Sequence, residues 1–282
     1  MISVIVVTHN RIESLKSCIE SILSQTAKNE HEIIVIDNAS GDNTFESLKK
    51  EYKGSLKLIK NDTKKSLQYC KRIGLEKSSG EIIAFTDDDC IPYEKWLSSI
   101  LKCFNNFDCD ISGGPVKPLN KLNLPWWWQN SMNWTIGIAD ITFPSFLPLG
   151  CNIAFRRNVL KDIELVDYYN SYDPDIVYSE DTLRIKNALK KGYKLTIDNT
   201  MVVYHDISPN KLSFKYIIQR SWLEGNHWAK NQKDLNILLI RVIALLINPF
   251  RFIVTLNIHY LLRTVVSLAY IITFFKKNAY RN

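Results

Sequence analysis

The sequence has no C-x-x-C pair among its six cysteines, Cys18, Cys70, Cys90, Cys103, Cys109 and Cys151. The five-residue gap between Cys103 and Cys109 fits no standard zinc module, so the cysteines read as reduced thiols of a cytosolic protein. There is no G-x-x-x-x-G-K-S/T stretch, and the first turn, THNR, contains no glycine. Those two absences exclude a P-loop and a dinucleotide fingerprint, and they leave phosphate to be met by metal and basic side chains. No basic segment precedes the apolar run at 2–7, which is too short for a signal sequence and reads as a first strand. An uninterrupted apolar run of about 20 residues is also missing, against a single clean transmembrane span. No internal repeat or low-complexity segment occurs. What remains is 282 residues, 46% hydrophobic and 23% charged, enough for one large core or two modest ones.

Charge is unevenly spread. Residues 210–282 carry +9 of a total of +7, leaving −2 on residues 1–209. The same tail holds apolar runs at 237–247 and 252–275, broken or bounded by Arg241, Asn248, Pro249, Arg251, Asn257, His259 and Arg263. Basic residues alternating with apolar blocks fit a segment in or on an anionic membrane surface, through residues 235–282. The alternative is a basic helical pair packed on the protein. Nucleic acid is disfavoured as a partner, because the charges are interleaved with aliphatics and do not gather on a polar groove. A division into 1–209 and 210–282 follows.

The front half alternates strand and helix. A β-branched run at 3–7 is followed by Asn10 and Glu13, spaced as a capping box, and by Ile12, Leu15, Ile19, Ile22 and Leu23 on one helical face. Further strands are expected at 32–37, 56–60 and 81–86, with helices at 44–52 and 65–77. Near-continuous Ile and Val strands between helices predict an α/β fold with a mostly parallel sheet covered on both faces. In such sheets ligands bind beyond the carboxyl ends of the strands, here at 8–11, 37–42 and 87–89. The last of these lies in AFTDDDC, where Asp87, Asp88 and Asp89 stand directly behind a buried strand. Adjacent carboxylates repel unless a cation neutralises them, and a hard divalent ion that also takes phosphate oxygens is the natural partner. A solvated acidic turn is the plainer reading, and the two partner loops weigh against it.

Taken together, VVTHNR, VIDNASGDNT, FTDDDC, SEDTLRIKNALKKGY and VVYH, in that order, resemble the inverting glycosyltransferases of family 2, over roughly residues 1–205. That resemblance implies the GT-A fold, a Rossmann-like nucleotide-diphospho-sugar transferase, here followed by a helical, membrane-associated tail. It implies transfer of a sugar from a nucleotide-diphosphate donor, most simply a UDP-sugar, to an acceptor hydroxyl. By the same resemblance Asp37 contacts the base, while Thr8, Asn10 and Arg11 line the nucleotide pocket. Asp87 falls near the ribose, Asp88 between, and Asp89 on a Mg or Mn ion that His205 completes.

Inversion requires a carboxylate to take the acceptor's proton opposite the diphosphate. The family's E-D pair maps onto Glu180 and Asp181, with Asp181 as base and Glu180 supporting it or the acceptor. On spacing alone, these acids at a helix start, ahead of Lys190, Lys191 and Gly192, are also what ordinary helix electrostatics prefers. LGCNIAFRR, residues 149–157, resembles the family's G-x-N-x-x-F-R-R: Gly150 would permit close backbone approach, Asn152 could meet a sugar hydroxyl and Phe155 belongs to the core.

Gly114, in GGPVKP, is expected beside the donor sugar. Of the three adjacent tryptophans 126–128 at least one must be exposed, and Trp127 is the candidate for the acceptor or the membrane. The chain departs from the family where CKRIG replaces A-R-N-x-G, which leaves Lys71, with Arg72 beside it, as the basic contact to the donor. QRSW at 219–222 has the wrong spacing for the Q-x-x-R-W of processive synthases.

The expected setting is cell-surface polysaccharide or glycolipid synthesis on a lipid-linked saccharide acceptor. The protein would then sit, peripheral or monotopic, at the cytoplasmic face of the membrane. The alternatives are a nucleotidyltransferase of the same fold and a non-catalytic sugar-nucleotide-binding or scaffold protein.

Overall fold

The computed structural model describes residues 1–25, 31–106, 108–142, 146–163, 180–231 and 234–276. In chain order the first elements are β1 (Ile2–Thr8), α1 (Ile12–Leu23), β2 (His31–Asn38), α2 (Thr44–Glu51), β3 (Lys57–Asn61), α3 (Leu67–Lys77) and β4 (Ile82–Asp87). They are followed by β5 (Cys90–Pro92), α4 (Trp96–Asn106), β6 (Ile111–Gly113), β7 (Val116–Pro118), β8 (Ile153–Arg156) and α5 (Arg157–Asp162). The remainder are α6 (Glu180–Lys190), β9 (Leu195–Ile197), β10 (Val203–His205), α7 (Phe214–Asn231), α8 (Leu235–Thr255) and α9 (Ile258–Phe275). Two short 3-10 segments, Asn130–Ile136 and Pro209–Leu212, complete the described elements.

Seven strands form one sheet in the order β3-β2-β1-β4-β8-β6-β9. The first four are parallel, β8 runs antiparallel to β4 and β6, and β9 is parallel to β6. Successive side chains of a strand point to opposite faces, and both faces here are covered. Val4, Val6, Ile33, Val35 and Ala84 pack on one side with Leu15, Ile19 and Ile22 of α1 and Trp96 and Ile100 of α4. Ile5, Ile34, Ile36, Ile83 and Phe85 pack on the other with Cys70 and Leu75 of α3, Val159 and Leu160 of α5, and Ile185 and Ala188 of α6.

The expected capping box before α1 does not form. Asn10 adopts φ 55°, and its side-chain oxygen accepts from the backbone N–H of Gly41 at 2.7 Å, so it serves the neighbouring loop and not the helix. Helix α3 is capped instead by Ser66, whose hydroxyl accepts from the N–H of Tyr69 at 3.1 Å.

A second, three-stranded sheet has the order β5-β10-β7, with β10 antiparallel to β5 and parallel to β7. Asn152 ties this sheet to the main one. Its amide nitrogen donates to the carbonyl oxygens of Pro115 at 3.0 Å and Met201 at 2.7 Å, and its oxygen accepts from the Trp96 indole at 2.8 Å.

The chain divides into two compact units. Among the described residues the first holds 1–120, 138–163 and 181–206, and the second holds 121–137, 180 and 207–276. The second therefore includes the tryptophan segment as well as the tail. Within it α9 packs against both α7 and α8. Met132, Ile217 and Leu262 form a small core, joined by Trp127, Trp128 and Ile258. Helices α8 and α9 are each long and apolar enough to cross a membrane by length and composition alone.

Asn152→Ala would leave two buried carbonyls and one indole N–H without partners, each an appreciable loss in an apolar setting. The expected cost is about 3 kcal/mol of unfolding free energy, read from urea denaturation. A loss no larger than that of a surface substitution would show that the two sheets are held together by other contacts.

Candidate active site

Strand β1 is where the strand order reverses, with β2 and β3 on one side and β4 on the other. A crevice opens at such a point beyond the carboxyl ends of the strands. The register brings the expected groups to that edge: Thr8 lies opposite Asp37 on β2, and Val7 lies opposite Asp87 on β4. The loops beyond are pinned to one another. Asn10 donates its backbone N–H to the Ser40 hydroxyl at 3.0 Å, and Asp37 Oδ1 accepts from the Ser40 N–H at 3.0 Å. Asp37 is buried, and its other carboxylate oxygen has no partner among the described residues. A buried acceptor in that state calls for a donor such as a ligand N–H.

Among the described residues the acidic triplet meets a small set of partners. Asp88 is buried and accepts from the Thr8 hydroxyl at 2.8 Å and from Arg11 at 3.1 Å. Arg11 also donates to Asp89 Oδ2 at 3.0 Å, and His205 Nε2 lies 3.5 Å from the same oxygen. The small sheet delivers that histidine: β5 begins directly behind the triplet, and its first residue, Cys90, is in register with His205 at the end of β10. Burial raises the carboxyl of Asp88 to about 6, against the pull of Arg11 and Thr8. Burial likewise holds Asp87 above the usual carboxylate range, aided by the charges of Asp89 and Asp181 and opposed by Lys71 and His205. Excess negative charge of this kind is what a bound cation relieves.

Ligand atoms of Asp89, Cys90 and His205 lie within 4.8 Å of one another, as do those of Asp87, Cys90 and Cys151. Hydrogen bonding to Cys151 and burial push the Cys90 thiol well above its ordinary value, so it is protonated and a poor ligand. The donors that remain are carboxylate oxygens and one imidazole, a set that suits Mg or Mn better than a soft metal.

Across the cleft, Asp181 sits in the first turn of α6. Its Oδ1 accepts from Lys71 of α3 at 3.3 Å and from Arg184 at 2.8 Å. Arg184 in turn donates to Gln68, and the Lys71 ammonium lies 5.2 Å from the centre of the Phe85 ring. Burial would raise the Asp181 carboxyl, but Lys71 and Arg184 outweigh it and hold the group below its usual range. Asp181 is therefore ionised at neutral pH. Gly150 is what makes room for it, since a Cβ there would lie 1.7 Å from Asp181 Oδ2.

Several expected site residues have other surroundings. Lys71, expected at the donor, is buried and paired with Asp181. Asn152 is fully buried with both amide hydrogens and its oxygen engaged, so it has little left to offer a sugar hydroxyl. Gly114 is buried where a Cβ would meet the Met201 carbonyl oxygen at 2.1 Å, so the glycine answers to backbone packing. Trp127 packs on Trp128 and Phe214 within the second unit, whereas Trp126 is 94% exposed. Glu180 begins α6, and its side chain lies outside the described residues. Sequence reasoning passed over Arg184 and Gln68. The signal for the first was its place one helical turn after Asp181.

The family model for glycosyl transferase family 2 matches residues 3–164. A UDP-Glc:alpha-D-GlcNAc-diphosphoundecaprenol beta-1,3-glucosyltransferase, WfaP, of Escherichia coli is 34% identical over 237 residues, covering 78% of this chain and 84% of that one. The glycosyltransferase AglE of Haloferax volcanii is 27% identical over 218 residues, 74% of this chain and 67% of that one. Among solved structures, the mannosyltransferase PcManGT of Pyrobaculum calidifontis in complex with GDP-Man and Mn2+ aligns with a TM-score of 0.56 at 17% identity. That alignment covers 81% of this chain and 61% of the other, and it establishes likeness of fold. A family match across more than half the chain, together with a relative of this identity and coverage, means that the chain belongs to glycosyl transferase family 2 and is a glycosyltransferase.

Proposed function

We propose that this glycosyltransferase is metal-dependent and inverting, and that it moves a sugar from a nucleotide-diphosphate donor to a hydroxyl of a lipid-linked saccharide at the cytoplasmic face of the membrane. The observation that carries the reading is the division of charge in one cleft. Burial and neighbouring charge raise the carboxyls of Asp87 and Asp88, beside Asp89, while Asp181, within electrostatic reach of Asp87, is kept ionised by its own cations. The first arrangement suits a cation and a diphosphate, and the second suits proton removal from an attacking hydroxyl.

In this reading Asp37 accepts from the base, Thr8, Asn10 and Arg11 shape the nucleotide pocket, and Asp87 meets the ribose. Asp88 fixes the loop after β1 through Thr8 and Arg11. Asp89 and His205 would hold the Mg or Mn ion, which supplies Lewis-acid neutralisation of the leaving diphosphate. The name of the Escherichia coli relative specifies a UDP-glucose donor and a diphosphoundecaprenol-linked acceptor, and the Pyrobaculum structure was solved with GDP-Man and Mn2+. Both support a nucleotide-sugar donor, and the first supports UDP and a polyprenyl-linked acceptor. The apolar helices α8 and α9 support membrane attachment near such an acceptor.

Asp181→Asn is expected to lower turnover by about 1,000-fold, within the range lost when a general base is removed, while UDP affinity stays unchanged. Near-native turnover would move the base elsewhere and reopen a non-catalytic role for the E-D pair.

Asp89→Ala is expected to abolish the Mn-supported part of UDP binding in titration calorimetry, and chelation of the metal should do the same to the native enzyme. Equal UDP affinity with and without Mn would remove the metal from the reading.

Gly150→Ala forces a Cβ into the space of Asp181 Oδ2, at 1.7 Å. A misplaced carboxylate should cost about 100-fold in kcat with UDP binding intact. Loss of binding instead would place Gly150 on the donor side.

A further inference from the structure

Helix α8 presents Leu239, Ile243, Leu246, Phe250 and Ile253 at successive spacings of four, three, four and three, so they form one stripe along the helix. Each is between 46% and 73% exposed. On the opposite side Asn248 is buried, and Arg241 lies over the Tyr270 ring of α9 at 5.8 Å. The other flank of α9 packs on α7, which carries Lys215, Arg220, Glu224 and Lys230, and Asn226 of α7 accepts from the Thr273 hydroxyl at 2.7 Å. A helix that shares its length with so charged a neighbour is not surrounded by hydrocarbon. The geometry therefore favours α8 lying in the bilayer surface, stripe inward, over a pair of spanning helices.

Guanidinium groups follow the seam between α8 and α9. Arg251 lies over the Tyr260 ring at 5.7 Å, and Arg263 is near enough to Arg241 and His259 for their charges to repel. Arg251 and Arg263 are exposed. None of the three arginines forms an ion pair among the described residues. Glu224 attracts Arg241 from α7 but is itself bridged to Arg220 at 3.8 Å. Residues 235–282 contain no Asp or Glu at all. Like charges held together are costly, and the open apolar stripe along the same helix adds a second unmet demand.

One surface meets both demands: acyl chains for the stripe and phosphate headgroups for the cations. We infer that the α8–α9 seam is a phosphate-headgroup site, in which the exposed Arg251 and Arg263, with the charge of Arg241 behind them, hold anionic phospholipid while the α8 stripe lies among the acyl chains. This rests on the membrane-attached reading above and adds the lipid class and the residues that select it.

The test uses the full chain and flotation with phosphatidylcholine vesicles, with and without phosphatidylglycerol. The native protein should partition preferentially to the phosphatidylglycerol vesicles. The double variant Arg251→Gln/Arg263→Gln should lose about 25-fold of that partition, roughly fivefold for each arginine, with an unchanged thermal unfolding transition. Leu246→Ser/Phe250→Ser should weaken binding to both vesicles alike. If the arginine variant floated with phosphatidylglycerol vesicles as well as the native chain does, the headgroup site would be overturned and membrane attachment would stand. If the native chain formed a discrete dimer and floated with neither vesicle, attachment itself would fall, and the stripe would belong to a second copy.

Discussion

The site depends on a repulsion that the fold does not relieve. Asp87, Asp88 and Asp89 end the β4 region inside a crevice, with Asp181 near enough for its charge to be felt at Asp87. Among the described residues, these four carboxylates face three cations, Arg11, Lys71 and Arg184, while His205 can serve either as a further cation or as a neutral ligand. The shortfall appears as raised carboxyl pKa values at Asp87 and Asp88, whereas the doubly paired Asp181 is lowered. The cleft is thus divided into a part that wants positive charge and a part already supplied with it. A glycosyl transfer that expels a diphosphate and removes a proton needs that division.

The backbone maintains the strain through its topology. Parallel β1, β2 and β4 end at one edge because their registers align Thr8 with Asp37 and Val7 with Asp87. His205, far away in sequence, arrives through the pairing of β10 with β5. Asp181 comes from a helix packed on the opposite face of the sheet from α1, and the absent side chain at Gly150 admits it. Asn152, two residues on, holds the small sheet against the large one with two buried hydrogen bonds and takes a third from Trp96 of α4. That stretch of chain therefore does two jobs: it opens space for a carboxylate and locks the sheet that presents the histidine.

Much of this was legible in the sequence where a period or a density of charge carries the signal. The β-branched strands 3–7 and 32–37, the helix face of Ile12, Leu15, Ile19 and Ile22, and the D-D-D run each announce themselves over several residues. The run before His205 reads as strand-like, but three-residue strands carry no signal of pairing, so the small sheet that brings His205 to Asp89 cannot be assembled from sequence. Asn10 was misread as a cap because spacing cannot reveal a backbone at φ 55°. Asn152 and Gly114 were read as sugar contacts because a motif does not say whether a polar or small residue faces ligand or packing; burial decides that. The family motif points Lys71 at the donor, whereas its distance to Asp181 is a tertiary fact.

The Lys71 contact links the two halves of the cleft. Among the described residues it pairs with Asp181 alongside Arg184, and it also acts on the half-buried Asp87. Arg184 is anchored from behind by Gln68, whereas the only other contact described for the Lys71 ammonium is the face of the Phe85 ring. A diphosphate concentrates more negative charge than one carboxylate, so any such anion within reach competes for Lys71. As that cation is drawn off, burial at Asp181 acts against a single remaining partner and the carboxyl's proton affinity rises. In the proposed reading, a donor that drew Lys71 off would leave Asp181 a stronger base than it is when doubly paired.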